Sequence, residues 1–165
     1  MLLDLSKLLR DPGASQRFDL TLDFSELVFG GNAPAQEPVK ACGAVRNTAG
    51  VLLLDGTLST TLHGVCDRCA EPFLRETEIP VHAVLESDPD SAESDDIWTF
   101  RLTDGKADMD DILRTAFVLN MDAKQLCRED CKGLCCRCGA NLNRGPCDCR
   151  PETDPRLAVL EKLLK

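Results

Sequence analysis

Aromatic side chains are scarce in this sequence. Tyrosine is absent, and six phenylalanines and one tryptophan are its only large aromatic residues among 165. Surfaces that stack RNA bases present several exposed aromatic rings on one sheet. The composition therefore argues against an RNA-recognition fold of that kind.

Long apolar runs and catalytic motifs are also missing. No segment approaches the length of a membrane-spanning helix, and Met1–Asp4 lacks the basic residues of a secretory signal. We therefore expect a cytoplasmic chain with no membrane contact. The sequence contains no nucleotide-binding glycine loop, nucleophile elbow or HExxH motif, and only two histidines, so we expect no enzyme activity.

Positive charge is in short supply in the first three quarters of the chain. The net charge is −9; residues 1–120 carry 10 basic and 21 acidic side chains, whereas residues 121–165 carry nine and seven. A broad electrostatic grip on nucleic acid needs a basic surface, so DNA is not expected as a partner. Any RNA contact is expected to be local or made through a protein partner.

What the sequence does contain is a set of alternating apolar and polar stretches, the pattern of half-buried strands. The predicted strands are 17–23, 39–45, 51–65, 73–85 and 97–102. Turn residues 47–50 predict that the second and third of these form a hairpin. Asp55-Gly56 indicates a bulge or break in the third strand. The acidic, serine-rich residues 86–96 predict a solvated loop.

The helical pattern is clearest at residues 108–119. Asp108 is a suitable N-cap, and the apolar residues that follow recur at helical spacing, which predicts a stripe packed on the core. Shorter helices are predicted at 4–10 and 155–164, and one helical turn at 25–29.

These elements predict an α+β fold. We expect an antiparallel, curved sheet or partial β-barrel over residues 17–102, covered by the 108–119 helix, with a zinc-stapled cysteine-rich segment after it. The predicted domains are a β-rich α+β domain at 1–120 and a cysteine-rich, zinc-binding tail with a terminal helix at 121–165.

Seven of the ten cysteines lie between Leu126 and Pro155, where only three leucines provide large apolar side chains. That much hydrocarbon cannot offset the entropy of ordering the backbone. Disulfides would be the explanation in a secreted chain, but thiolates around a metal are expected in a reducing compartment. We therefore expect zinc to hold this segment.

The spacing of the cysteines predicts one zinc site and allows a second. A C-x2-C-G motif and a C-x-C motif provide the first ligand set: Cys135, Cys138, Cys147 and Cys149. A second site forms if a hairpin tip folds against the tail, with ligands Cys66, Cys69, Cys127 and Cys131. In an alternative partition, Cys131 serves the first ion and a later thiol is idle.

Three other residues are not expected to be metal ligands. Cys136 lies between two ligands and is expected to be a spectator. Cys42 lies within a strand, where a lone cysteine is usually a small core residue. His63 is expected to be a strand-surface histidine rather than a ligand. A redox pair at Cys66 and Cys69 is the alternative to metal binding. A thioredoxin-type motif opens a helix after a parallel strand, however, whereas antiparallel strands are predicted on both sides of this pair.

Several motifs together resemble the YceD family of large-subunit ribosomal RNA accumulation proteins. They are Val65–Pro72 with its CDRC, Cys131–Cys135, Cys138–Asn143 with its CGANLN, Cys147–Cys149, and the DPRL at 154–157. The resemblance covers essentially the whole chain. One departure is Cys136, where relatives commonly carry proline.

The resemblance implies a non-catalytic role in the accumulation of 23S ribosomal RNA and in large-subunit assembly. The implied partners are 23S RNA or assembly intermediates, reached directly or through a protein. Arg68, between two thiols at an exposed tip, is then a candidate contact to phosphate or to a protein carboxylate. The alternatives are a thiol–disulfide redox protein using Cys66 and Cys69, and a zinc-stabilised adaptor that touches only proteins.

Overall fold

Five strands of the chain form one open, curved sheet, and two short strands form a second. A computed structural model describes residues 1–86 and 98–149. Its strands are β1 (Leu2–Asp4), β2 (Ser15–Leu22), β3 (Val39–Thr48), β4 (Val51–Val65), β5 (Pro72–Glu86), β6 (Thr99–Arg101) and β7 (Lys106–Asp108), and its helix is α1 (Met109–Leu119). The large sheet has the strand order β2-β3-β4-β5-β6, and β1 pairs with β7 in the small one. The predicted loop after Glu86, Ile97, and the helix and DPRL motif beyond residue 150 lie outside the described residues.

The sequence predicted the α+β class and the curved sheet correctly, but not every strand direction. Strands β2 to β5 are antiparallel neighbours, whereas β6 pairs with β5 in parallel, from Val84 opposite Thr99 to Glu86 opposite Arg101. The wholly antiparallel prediction is therefore wrong at this edge. A parallel neighbour needs a connection of about a dozen residues or more, and residues 87–98 provide that length.

The predicted hairpin of β3 and β4 is confirmed, and its turn is fixed by one buried amide. Ala49 and Gly50 have φ of 54° and 96°, the left-handed conformation that a two-residue hairpin turn requires. Asn47, 2% exposed, accepts from the Gly50 N–H at 2.8 Å and donates to the Leu8 carbonyl at 2.7 Å. One side chain thus joins the turn to the N-terminal segment.

The predicted helix at residues 4–10 is wrong. Leu2–Asp4 forms strand β1 and pairs with Lys106–Asp108, and only Leu8–Arg10 makes a 3₁₀ turn. The pairing with β7, continued by the hydrogen bond from the Leu5 N–H to the Gly105 carbonyl at 2.9 Å, keeps the chain extended as far as Leu5, so a helix cannot begin at Asp4. Residues 25–29 likewise form a non-helical turn, with Phe29 bridged to Asn32.

The predicted break at Asp55-Gly56 is also absent, because the β3–β4 ladder runs through it in constant register. Gly43 lies opposite Gly56, and the ring of Phe18 lies over both. These two glycines make room for an aromatic ring on the sheet, a close approach that a side chain at either position would block.

Substitution of Gly43 by alanine is expected to lower the free energy of unfolding by about 3 kcal/mol, because the added atom cannot be accommodated. A Cβ there would overlap the Asp55 carbonyl oxygen and lie 2.6 Å from Cα of Gly56, both backbone groups. Gly56→Ala is the matched control. Its Cβ would meet the Cys42 carbonyl oxygen at 2.9 Å and Phe18 at 3.0 Å, so we expect a smaller loss. Equal losses in urea denaturation would contradict this account.

The inner face of the sheet and one face of α1 enclose the core. The Asp108 carboxylate accepts from the Asp110 N–H at 3.1 Å, which confirms the predicted N-cap. All five residues of the predicted stripe are at most 1% exposed: Met109, Ile112, Leu113, Ala116 and Phe117. Among the described residues, no helix has the length and apolar character needed to span a membrane.

Cys42 is exposed, so its prediction as a core residue is wrong. Val39, Ala41 and Val45 of the same strand are fully buried. Successive side chains of a strand point to opposite faces, so Cys42 lies on the outer face of β3.

Candidate metal centres

Strands β4 and β5 are joined by a tight loop, Cys66–Glu71, which we call the tip loop. The Cys66 N–H donates to the Glu71 carbonyl at 2.9 Å, and the Ala70 N–H donates to the Cys66 carbonyl at 2.8 Å. Ala70 has a φ of 55°, which turns the chain back after the second cysteine. The C-x2-C spacing thereby brings both sulfurs to one side of the loop.

The segment after α1 folds back onto the tip loop. Asp67 and Gln125 exchange two hydrogen bonds: the Asp67 N–H donates to the Gln125 carbonyl at 2.8 Å, and the Gln125 N–H donates to the Asp67 carboxylate at 2.7 Å. This contact brings Cys127 and Cys131 beside the tip-loop cysteines. The meeting of hairpin tip and tail, on which the predicted second site depends, is thus present in the structure.

Four sulfurs converge there to form the first cluster: Cys66, Cys69, Cys127 and Cys131. The Cys66 and Cys131 sulfurs are 3.8 Å apart, those of Cys69 and Cys127 are 3.7 Å apart, and all four lie within 4.8 Å of one another. Cys66, Cys69 and Cys131 are at most 4% exposed, with Phe73 and Leu126 packed against them.

Arg68 also lies in the tip loop and is exposed at the surface. Its Nη1 donates to the carbonyls of Glu129 at 3.2 Å and Cys131 at 3.0 Å. The guanidinium therefore holds the tail against the tip loop. Its contact with phosphate or a partner carboxylate stays a prediction.

A second loop, Cys135–Ala140, repeats the backbone geometry of the tip loop. The Cys135 N–H donates to the Ala140 carbonyl at 2.8 Å, and the Gly139 N–H donates to the Cys135 carbonyl at 2.9 Å. Gly139 has a φ of 71° and occupies the position that Ala70 holds in the tip loop. This loop contributes two sulfurs to the second cluster, whose four sulfurs lie within 4.8 Å of one another: Cys135, Cys138, Cys147 and Cys149.

The donor sets fit a tetrahedral metal ion. A Zn²⁺ ion with Zn–S bonds of about 2.3 Å has sulfurs about 3.8 Å apart. The Cys66–Cys131 and Cys69–Cys127 sulfur separations in the first cluster agree with that value. All ten cysteines are free thiols, so disulfides do not hold this segment in the structure. Both clusters could therefore hold a metal ion, and sulfur donors favour zinc or another soft metal.

Each cluster contains one thiol that ionises readily beside one that retains its proton. In the first, burial opposes ionisation of Cys66, but N–H groups of Cys127, Cys69 and Arg68 lower its pKa to about 6. Burial, followed by the neighbouring thiols, raises the pKa of Cys127 to about 12. A bound cation would displace the protons that remain on these thiols, since the thiolate is the form that binds metal.

The second cluster divides in the same way. Backbone N–H groups of Cys138 and then Arg137 lower the pKa of Cys135 to about 6. The thiol of Cys138 and then burial raise the pKa of Cys149 to about 12. This cluster is less buried than the first, and Cys138 is exposed.

Cys42, Cys136 and His63 lie outside both clusters. Cys136 is exposed, and His63 lies 3.6 Å from the Glu37 carboxylate. Cys131 belongs to the first cluster, so the alternative partition that assigned it to the other ion is not the arrangement found.

Asn143 is a site residue that the sequence pattern did not single out. Its side-chain amide donates to the Cys131 sulfur at 3.3 Å, although it lies in the chain between Cys138 and Cys147 of the other cluster. An asparagine in a glycine-rich loop normally indicates only a turn. Nothing in the sequence pairs it with a cysteine twelve residues earlier.

Substitution of Gly139 by alanine is expected to destabilise the second loop by about 1 kcal/mol. A Cβ there would meet nothing within 4 Å, so the cost is that of the left-handed backbone alone. Native-state hydrogen exchange at the Cys135 and residue-139 amides measures it. Gly139→Asn is the control, because asparagine tolerates this conformation and should exchange more slowly than the alanine variant. Faster exchange in the asparagine variant would contradict the backbone explanation.

Comparison with known proteins agrees with the motifs. A family model described as "Large ribosomal RNA subunit accumulation protein YceD" matches residues 54–164, which include both clusters. A chloroplastic YCED homolog 1 of Zea mays is 30% identical over 163 residues, covering 81% of this chain and 56% of that protein. The Arabidopsis thaliana homolog 1 is 29% identical, covering 79% and 50%.

An uncharacterized protein of Mycobacterium tuberculosis is 31% identical over 118 residues, covering 68% of this chain and 56% of that protein. The chain thus spans about half the length of the curated relatives it matches. No solved structure matches it.

Proposed function

Because the chain belongs to the YceD family of large ribosomal RNA subunit accumulation proteins, we propose that it supports accumulation of 23S ribosomal RNA and assembly of the large subunit. We propose that it does so in the cytoplasm without catalysing a reaction. The observation that carries this proposal is the family match over residues 54–164, which takes in the tip loop, α1 and both clusters.

In this proposal both clusters are zinc sites. Cys66, Cys69, Cys127 and Cys131 would hold one ion, and Cys135, Cys138, Cys147 and Cys149 the other. Zinc supplies a structural cross-link when bound, and no open coordination position remains in a four-thiolate set. The chain's own hydrogen bonds then orient the loops: Arg68 holds the tail on the tip loop, and Asn143 donates to a ligand sulfur.

The contact with RNA or with an assembly partner is proposed to be local. The acidic excess of residues 1–120 disfavours a broad interface with phosphate. Arg68 is the proposed contact, since it is exposed at the tip loop and its planar guanidinium suits phosphate or carboxylate.

The thiol–disulfide alternative is less well supported, because Cys66 and Cys69 do not form an isolated pair. Two further thiols complete a four-sulfur group with them. Elemental analysis of the purified protein distinguishes the two functions. About two zinc ions per chain support the structural assignment, and a metal-free protein that cycles through a Cys66–Cys69 disulfide supports the redox function.

Depletion of the protein in its own cells, followed by quantification of 23S against 16S RNA, tests the ribosomal function. We expect the ratio of 23S to 16S RNA to fall and the unaltered protein to restore it. An unchanged ratio would remove the proposal. Crosslinking in cells then asks whether 23S RNA or only protein neighbours are recovered; proteins alone would favour the zinc-stabilised adaptor.

A further inference from the structure

The loop that the second cluster closes lies against the first cluster. This connecting loop, residues 139–146, runs between Cys138 and Cys147. From within it, the Asn143 side chain donates to the Cys131 sulfur, a member of the first cluster, at 3.3 Å. A residue positioned by one set of thiols therefore touches a sulfur of the other.

The hydrogen bonds of Asn143 fix which end of its amide faces the sulfur. Its Oδ1 accepts from the Lys132 N–H at 2.8 Å and from the Arg128 guanidinium at 2.9 Å. Its Nδ2 also donates to Asn141 Oδ1 at 2.9 Å. Rotating the amide by 180° would point NH₂ at two donors and a carbonyl oxygen at a sulfur, so the observed orientation is enforced.

Further contacts join the connecting loop to the residues beside the first cluster. The Leu142 N–H donates to the Gly133 carbonyl at 2.9 Å, and the Arg144 guanidinium forms an ion pair with Glu71 of the tip loop. The loop contains little apolar surface to hold it in place, since leucine is its only large apolar residue. Closure of the loop by the second cluster therefore adds to these hydrogen bonds in holding Asn143 at the Cys131 sulfur.

We infer that Asn143 couples the two clusters, so that loading of the second with metal raises the metal affinity of the first. This inference rests on the proposed zinc assignment. An N–H donor to a ligand thiolate stabilises its charge and orients it, and loss of such a partner typically costs 10- to 100-fold in metal affinity. By reciprocity, loading of the first cluster raises the affinity of the second by the same factor.

A double-mutant cycle on the full chain tests the coupling. We compare the unaltered protein, Asn143→Ala, the pair Cys138→Ser with Cys149→Ser, and the triple variant. Competition with a chromophoric chelator gives the Zn²⁺ affinity of the first cluster, and Co²⁺ absorption reports its thiolate coordination. We expect about 10- to 100-fold weaker Zn²⁺ binding in Asn143→Ala and in the cysteine pair. The triple variant should show no further loss.

Arg144→Gln is the matched control, because it removes a contact of the same loop that reaches the tip loop but no sulfur. It should retain most of the coupling. First-cluster affinity that is indifferent to the second cluster, additive losses in the triple variant, or a larger loss in Arg144→Gln would overturn the inference. In those outcomes the unaltered chain still binds two ions and the zinc assignment stands. A chain that binds no Zn²⁺ overturns both, while the 23S measurement remains independent of either.

Discussion

Replacement of Cys131 by serine is expected to lower the metal content from about two ions to about one and to release the tail from the tip loop. Cys131 is 4% exposed, its sulfur lies 3.8 Å from that of Cys66, and it accepts from Asn143. A structural zinc site contributes roughly 10–16 kcal/mol of apparent binding free energy, far more than the few apolar side chains of this segment provide. Elemental analysis measures the ion, and hydrogen exchange measures the release.

The location of the change distinguishes this result from global unfolding. Amides of 121–134 and of the tip loop should exchange much faster. Those of β3, and of the end of β4 that is far from the tip loop, should keep their protection. The core of the sheet is a separate cluster of buried side chains that does not include the thiols. Cys136→Ser is the matched control, since Cys136 is exposed and belongs to neither cluster. A Cys131 variant that retained two ions and a protected tail would refute the assignment.

Substitution of Phe117 by alanine is expected to lower the free energy of unfolding by about 3–5 kcal/mol. Phe117 is fully buried on α1, and its ring centroid lies 5.3 Å from that of Phe24 and 6.2 Å from that of Phe29. Its removal leaves a cavity between the helix and the segment that follows β2, and also removes two ring contacts. Urea denaturation of the metal-loaded protein measures the loss.

Val118→Ala is the control, because Val118 is the next residue of α1 and is 40% exposed. Its loss should be within about 0.5 kcal/mol, the range of ordinary surface changes. The Phe117 variant should still bind both ions, since the thiols lie outside the core cluster. Similar losses in the two variants would show that α1 does not close the core as described.

The local pattern was sufficient where periodicity and capping coincide. The stripe of α1 and its N-cap at Asp108 follow from the 3.6-residue repeat and from the chemistry of a carboxylate at a helix start. The β3–β4 hairpin follows from alternation and from a turn ending in glycine. In both cases the interactions that decide the structure join residues close together in the chain.

The pattern failed where a distant segment competed for the same backbone. The helical pattern began at Asp4, but Leu2–Asp4 pairs with β7, about a hundred residues later. Asp55-Gly56 predicted a bulge or break, yet Gly56 lies opposite Gly43 in an unbroken ladder, and the Phe18 ring lies over both glycines. Cys42 was misassigned for a different reason: the alternation of β3, in which Val39, Ala41 and Val45 face the core, places it on the outer face.

For the candidate metal centres, the sequence by itself determined three of the four pairs of thiols, because a C-x2-C or C-x-C spacing brings two sulfurs together within a single turn. Which pairs meet was decided by tertiary structure, since Cys66 and Cys131 are separated by 65 positions and Cys69 and Cys127 by 58. The contact of Asn143 with Cys131 was also decided by the tertiary structure. Local spacing fixes local geometry, whereas the meeting of distant loops depends on how the whole sheet, α1 and the tail pack together.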